Sequence, residues 1–337
     1  MKTIPLVETT RGGTVENVHF GSVAVVDHEG RLLWSAGDPD YLTFTRSALK
    51  PFQALPFVLD DGPDKLGLTE RELAIMCASH SGEQVHVDTV RGILEKIGAD
   101  ESDLECGCQV PLYYDFLHLR PPADVEWTPV QHNCSGKHSG FLAWCRLHGM
   151  QTRGYTDPLH PLQQQVRARL ADTLGVSESA LPGGIDGCSA PNYAMPLARL
   201  AHLYARLAQG ARDPQWGFAL GDLCGAMLRH PELVSGTART DLMYTQAGAG
   251  DWVCKVGADA VQAIGITSEK IGIAVKIADG APRALHVAVV SVLDQLGLLD
   301  GERARVVESY RQPALKNWRG LAVGEIRPVF RLARAGS

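Results

Sequence analysis

Strand-forming stretches stand at both ends of this chain with a long helical stretch between them, so any sheet it builds must join residues that the sequence holds far apart. Near the start, HFGSVAVVDHEGRLLWSAGD (19–38) reads as two strands around a tight turn at Asp27, His28, Glu29 and Gly30, with a β-branched run on one side. From about residue 47 to 249 apolar residues recur at spacings of three and four, in VHVDTVRGILEKIG, GKHSGFLAWCRLHG, DPLHPLQQQVRARLADTLG and APNYAMPLARLAHLYARLAQG. After 250 come DWVCKVG, DAVQAIGI and KIGIAVKIADG, short apolar runs divided by glycine-bearing turns, followed by ALHVAVVSVLDQLG, which reads as a helix. The fold class is therefore α/β of the α+β type: a mostly antiparallel sheet from residues about 1–46 and 250–337, with a helical region packed beside it. HLRPPADVEWTP (118–129) reads as a surface loop rather than a domain boundary.

The 337 residues, 45% of them hydrophobic, suffice for a sizeable core, and we read residues 1–337 as a single domain. Thirty-two basic and 38 acidic residues give a net charge of -6 with no run of five like charges, which argues against a nucleic-acid partner. The first residues have no signal-peptide core, and the most apolar stretch, LHVAVVSVL, is too short to span a bilayer, so no membrane association and a cytoplasmic location are expected. In that setting the eight cysteines are expected as thiols, packing by default as small hydrophobes.

Five stretches could carry chemistry. In TRSALKPFQ (45–53) a helix starting near Ser47 puts Lys50 about one turn on, and Pro51 fits a first turn where a missing N–H does no harm. A neutral Lys50 can take the Ser47 proton; burial in LKPFQALPFVL and a second nearby cation both favour the neutral amine. The bland reading is a helix-capping serine followed by a solvated lysine. CASHSGE (77–83) places Ser79, His80 and Ser81 after a helical run, where a helix end and turn is the simple account. VCKVGAD (253–259) sets Lys255 in an apolar strand, as an outward solvated residue or as a functional one whose neighbour Gly257 lets a substrate come close. HNCSGKHSG (132–140) and PGGIDGCSAPN (182–192) each frame a cysteine, Cys134 and Cys188, in a glycine-bearing loop before an expected helix, a setting that lowers a thiol pKa. Two such thiolates can share a zinc ion with Lys137 or a histidine and a water, with CGC (106–108) as a competitor. A structural thiol in each loop, or a nucleophilic cysteine with His138 as base, are the other readings. Asp186 either holds an ammonium or caps the following helix.

Taken in this order, TRSALKPFQ, CASHSGE, HNCSGKHSG and DGCSAPN resemble the rhizobial-type (class 3) L-asparaginases of the L-asparaginase II family, over most of the chain. The resemblance implies a fold similar to serine β-lactamases and glutaminases, a homodimer, and hydrolysis of the side-chain amide of L-asparagine through an acyl-enzyme. It places the nucleophile on Ser47, its partner on Lys50, a second serine and lysine on Ser79 and Lys255, zinc ligands on Cys134, Lys137 and Cys188, and an acidic site residue on Asp186. Ser79 would relay protons between the two lysines; Arg46 or His138 would face the substrate α-carboxylate and Asp186 its α-ammonium. Where β-lactamases have SDN-like and KTG elements this chain has SHS and KVG, so the roles of the asparagine and threonine do not transfer. The rival readings are a glutaminase or other Ser-Lys amidohydrolase, and a non-enzymatic zinc or redox thiol protein.

Overall fold

In the computed structural model, which describes residues 2–336, both ends of the chain enter one antiparallel sheet. Its strands run in the order Ala314–Lys316, Ala322–Pro328, Ile4–Arg11, Thr14–Asp27, Ile271–Ile277, Val261–Ile266, Trp252–Gly257, and Leu32–Ala36 pairs with both Thr14–Asp27 and the short Ala333–Arg334. The hub is Thr14–Asp27: its outer part pairs with Ile4–Arg11, while its wholly buried second half pairs with Ile271–Ile277 and with Leu32–Ala36. The expected turn closes as read, with Gly30 at φ 83° and the Asp27 carboxylate accepting from the Glu29 and Arg31 amides at 2.9 Å.

The chain divides into two compact units, one of residues 2–48, 195–208 and 243–336, the other of residues 49–194 and 209–242. In the first, strand alternation sorts side chains to two faces. Val23, Val25, Ile264, Ile266, Ile273, Val275 and Ile277 join a core with Trp252 and with Leu285, Val289 and Val292 of helix Pro282–Gln295. On the opposite face the register sets small residues side by side, Gly265 against Gly272 and Ala263 against Ala274. Helix Leu197–Gln209 takes the space they leave: a Cβ at Gly272 would overlap the Ala201 carbonyl, and one at Gly265 the Tyr204 carbonyl. Lys255 pairs with Ala263 and so belongs to this face; it is fully buried, its Nζ donating to the Val256 carbonyl at 3.0 Å, which removes the reading of an outward solvated strand lysine. Lys276, also buried, donates to the Asp259 carbonyl at 2.5 Å.

The second unit is helical, built on Lys50–Leu59, Glu70–Met76, Gln84–Ile97, Ser135–Leu147, Pro161–Leu174 and Gly217–Arg229. Helix Glu70–Met76 starts with a reciprocal capping box between Thr69 and Glu72, whose carboxylate also accepts from Lys96 at 2.7 Å. Residues 135–145 are all buried, and Gly136 lets their helix press against the backbone of Ile75, where any side chain would collide.

One expected helix needs correction. The stretch 190–210 divides into strand Pro191–Pro196, paired with Gly183–Ile185, and helix Leu197–Gln209. Proline at 196 disfavours the helical region for Met195 and cannot donate inside a helix, so the helix begins after it. Cys188 and Asp186 therefore precede a strand, and Asp186 has no helix to cap. The 118–129 segment is an exposed connection, as read. Among the described residues no helix is long and apolar enough to cross a membrane.

The glycine row makes a direct prediction. Gly272→Ala should destabilise the protein by about 2–3 kcal/mol, because the added methyl meets backbone that cannot move aside, whereas Gly301→Ala, with nothing within 4 Å of its Cβ, should be neutral or slightly stabilising. Thermal midpoints of the two variants and the parent measure it; equal midpoints would contradict the packing described.

Candidate active site

Lys50 opens helix Lys50–Leu59 with Pro51 behind it, directly after the single 3-10 turn Arg46–Leu49 that holds half-buried Ser47. The helix start predicted from Ser47 and Pro51 is thus present. Ser47 and Lys255 belong to the sheet-bearing unit, Lys50 and Ser79 to the helical one.

Within the helical unit, Lys50 is 1% exposed and its Nζ donates to the Ser79 hydroxyl at 2.8 Å and to the Ala78 carbonyl. Those oxygens come from the chain just past helix Glu70–Met76, where Ser79 N–H is fastened to the Val234 carbonyl at 3.0 Å. Burial pushes the Lys50 pKa below the ordinary lysine value; the Lys137 cation adds to that push, while the Cys134 and Cys188 sulfurs oppose it. Its neighbours in CASHSGE are buried as well. Gly82 N–H donates to His80 Nδ1 at 3.1 Å, so the proton sits on Nε2, which donates to the Ser135 hydroxyl at 2.8 Å. The segment is a built part of the interior rather than a simple helix end and turn.

Cys134 precedes helix Ser135–Leu147, and Lys137 and His138 lie in its first turns; Cys188 comes from the turn after Gly183–Ile185. The three side chains expected together are together. Lys137 Nζ donates to Cys188 Sγ at 2.9 Å, and the Cys134 thiol donates to the same sulfur. That bond, aided by the Lys137 and His138 neighbours, holds the Cys188 thiol well below the usual range against the penalty of burial. The same bond, with burial, drives Cys134 upward, so one sulfur carries the negative charge and the other its proton. Burial disfavours the Lys137 cation, but the Cys188 charge outweighs it and holds the amine protonated. Asp186, half-buried, adds its negative charge to Lys137 and hydrogen-bonds within its own turn to Gly187 N–H. The cysteines of CGC do not join this group in the same way: burial pushes Cys106 up to about 12, and Cys108 is exposed.

His138 is wholly buried, with Nδ1 2.7 Å from the Tyr155 hydroxyl, which itself accepts from Glu105 N–H. Burial lowers its pKa to about 4, so the ring is neutral. Its Nε2 has no hydrogen-bond partner among the described residues, although it lies near enough to Cys188 to stabilise that thiolate. In the other unit Arg46, with φ 48°, forms an ion pair with Asp259. A Cβ at Gly257 would come 2.7 Å from the Thr45 carbonyl, so the chain's own Thr45–Arg46 backbone, not a substrate, makes the close approach there. Among the described residues no three His, Cys, Asp or Glu side chains form a metal-binding group; the cluster has two sulfurs, a lysine amine and one orphaned imidazole nitrogen.

Residues 7–328 match the model of the family described as L-asparaginase II. The chain belongs to that family. No curated protein matches it. Among solved structures it is similar to Mglu in its native form, at 15% identity and a TM-score of 0.47 over 83% of this chain and 66% of the other. Mglu in its glutamate form is similar over the same 83%, at 15% identity and a TM-score of 0.36, with 62% of its own length covered. The chain thus spans less than two thirds of the length of these structures.

Sequence reasoning missed Tyr155, which fixes the His138 ring, and Arg239, whose guanidinium reaches the Ser79 carbonyl; neither stands in a motif. The charge arrangement predicts that metal-free protein keeps one thiolate absorbance well below the pH at which ordinary thiols ionise. Cys188→Ser should remove that signal and Cys145→Ser should not, Cys145 being held as a thiol by burial. A signal that survives Cys188→Ser would contradict the assignment.

Proposed function

We propose that this protein is an amidohydrolase that cleaves the side-chain amide of L-asparagine to L-aspartate and ammonia, with Ser47 as nucleophile and Lys50 as its base. What carries the reading is a lysine sealed from water with its amine on a serine hydroxyl, three residues along the chain from a second serine. Membership of the L-asparaginase II family supports the reaction class.

In the proposed sequence Lys50 accepts the Ser47 proton as the hydroxyl oxygen attacks the amide carbon. The C–N bond breaks, ammonia leaves with the proton returned by Lys50, and a water then opens the Ser47 ester to give aspartate. Ser79, bonded to Lys50, passes protons to and from it; Lys255 serves as the second lysine, and Asp186 meets the substrate α-ammonium. The homodimer implied by the family belongs to the same proposal.

Cys134, Cys188 and Lys137 would hold zinc, a metal that accepts thiolate and nitrogen donors, and the fit lies in the sulfur pair and the orphaned His138 nitrogen beside it. Bound there, zinc would supply a fixed positive charge that orders the surrounding loops. Lys137 would have to give up the proton it now shares with Cys188.

The test is ammonia release from L-asparagine and L-glutamine under zinc-replete conditions. Ser47→Ala and Lys50→Met should each lower asparagine turnover by at least about 10^3-fold with the fold retained; substantial turnover by folded Ser47→Ala would refute the nucleophile, and faster release from glutamine would make the enzyme a glutaminase. Elemental analysis should find zinc in the parent and little in Cys188→Ser. Equal zinc in both would remove the ligand assignment.

A further inference from the structure

Arg239 is 8% exposed, yet among the described residues no carboxylate forms an ion pair with it. Its partners among the described residues are the Ser79 carbonyl, 3.2 Å from a terminal nitrogen, and the Phe116 ring, whose centroid lies 4.3 Å from the guanidinium carbon. Glu83 and Asp241 act on it only from farther away. A guanidinium carries five donor hydrogens in a flat fork, and a buried one ordinarily faces an anion. Here one neutral carbonyl and a ring leave most of that capacity unspent.

The segment that presents Arg239 is fastened in place. Thr237 N–H and its hydroxyl donate to the two carboxylate oxygens of Glu83 at 2.8 and 2.9 Å, and the Ser81 hydroxyl donates to the Ser235 carbonyl at 3.0 Å. Gly236 at φ 119° allows this docking, since a Cβ there would lie 2.6 Å from the Glu83 carboxylate and 2.7 Å from the Ser81 oxygen; Ala238 follows at φ 60°. Glu83 is thus held by Thr237 and makes no ion pair with the arginine. The segment receiving these bonds is the one that carries Ser79, whose hydroxyl accepts from Lys50 while its carbonyl accepts from Arg239.

We infer that Arg239 is the receptor for the α-carboxylate of the substrate, a planar two-oxygen anion that matches its unused fork. The inference rests on the amidohydrolase reading for the identity of the ligand. It differs from the two candidates expected from the sequence: Arg46 forms an ion pair with Asp259, and His138 is wholly buried with its Nδ1 on the Tyr155 hydroxyl. With Asp186 on the ammonium and Arg239 on the carboxylate, both charges of a free amino acid would be met, and a side-chain amide without an α-carboxylate would be a poor ligand.

Calorimetry separates this role from a structural one. L-asparagine and its α-amide, L-asparaginamide, are titrated into Ser47→Ala protein with and without Arg239→Gln, and steady-state constants are measured in the Ser47 background. Arg239→Gln should weaken L-asparagine binding and raise its KM by about 10- to 100-fold, leave kcat within a few-fold, and change L-asparaginamide binding little. Arg239→Lys should recover part of the loss. Equal L-asparagine binding with and without Arg239, or the same loss for both ligands, would overturn the inference. Should Arg239→Gln not fold, the parent alone decides: it must prefer L-asparagine to L-asparaginamide by a similar factor, and equal affinity refutes the site. Arg239-dependent binding without ammonia release would leave the carboxylate site standing and remove the amidohydrolase reading. Release with a KM indifferent to Arg239 would do the reverse, and neither binding nor release would remove both.

Discussion

A lysine amine shut away from water has to be met by oxygen, sulfur or the loss of its proton, and the arrangement around Lys50 supplies the first two while burial favours the third. The oxygens come from Ala78 and Ser79, which can reach the amine because the chain leaves helix Glu70–Met76 just before them. Helix Ser135–Leu147 closes on the same backbone through Gly136 and brings Cys134 and Lys137 within electrostatic range. A single glycine contact with Ile75 thus ties the position of Lys50 to that of a thiol pair.

The thiol pair shows how this interior handles further charge. Bringing a second buried cation near Lys50 would be costly if it stood alone, but Lys137 is given a thiolate, and the thiolate is held by a neighbour that keeps its own proton. Negative and positive charge are placed in contact, which leaves Lys50 as the amine that burial can neutralise. Arg239 breaks the pattern: among the described residues no carboxylate forms an ion pair with it.

Much of this was legible in the sequence. A β-branched run and short apolar runs between glycine-bearing turns located the terminal strands, and the three and four spacing located the long helices, because each of those segments buries one face or all of itself. Ser-x-x-Lys with proline behind it marked a helix start, and two glycine-framed cysteines marked one cluster. The strand Pro191–Pro196 was hidden because its apolar residues also fit a helical period, although the proline at 196 was a local warning. Gly257 was read for a visitor when the chain's own backbone fills the space, a distinction that depends on residues two hundred positions away. Arg239 carried no local signal at all: an arginine becomes informative only once its surroundings are known to lack a carboxylate.

The burial of Lys50, Lys137, Lys255 and Lys276 also governs how the protein meets the outside world. The sequence holds nine lysines, and the five that remain, Lys2, Lys65, Lys96, Lys270 and Lys316, are exposed. Arginine, which cannot give up its proton, supplies most of the other positive charge, while nearly half of the lysines lie in the interior. A reagent that couples to amines would therefore find few side-chain handles, and attachment to a solid support would leave the buried set untouched.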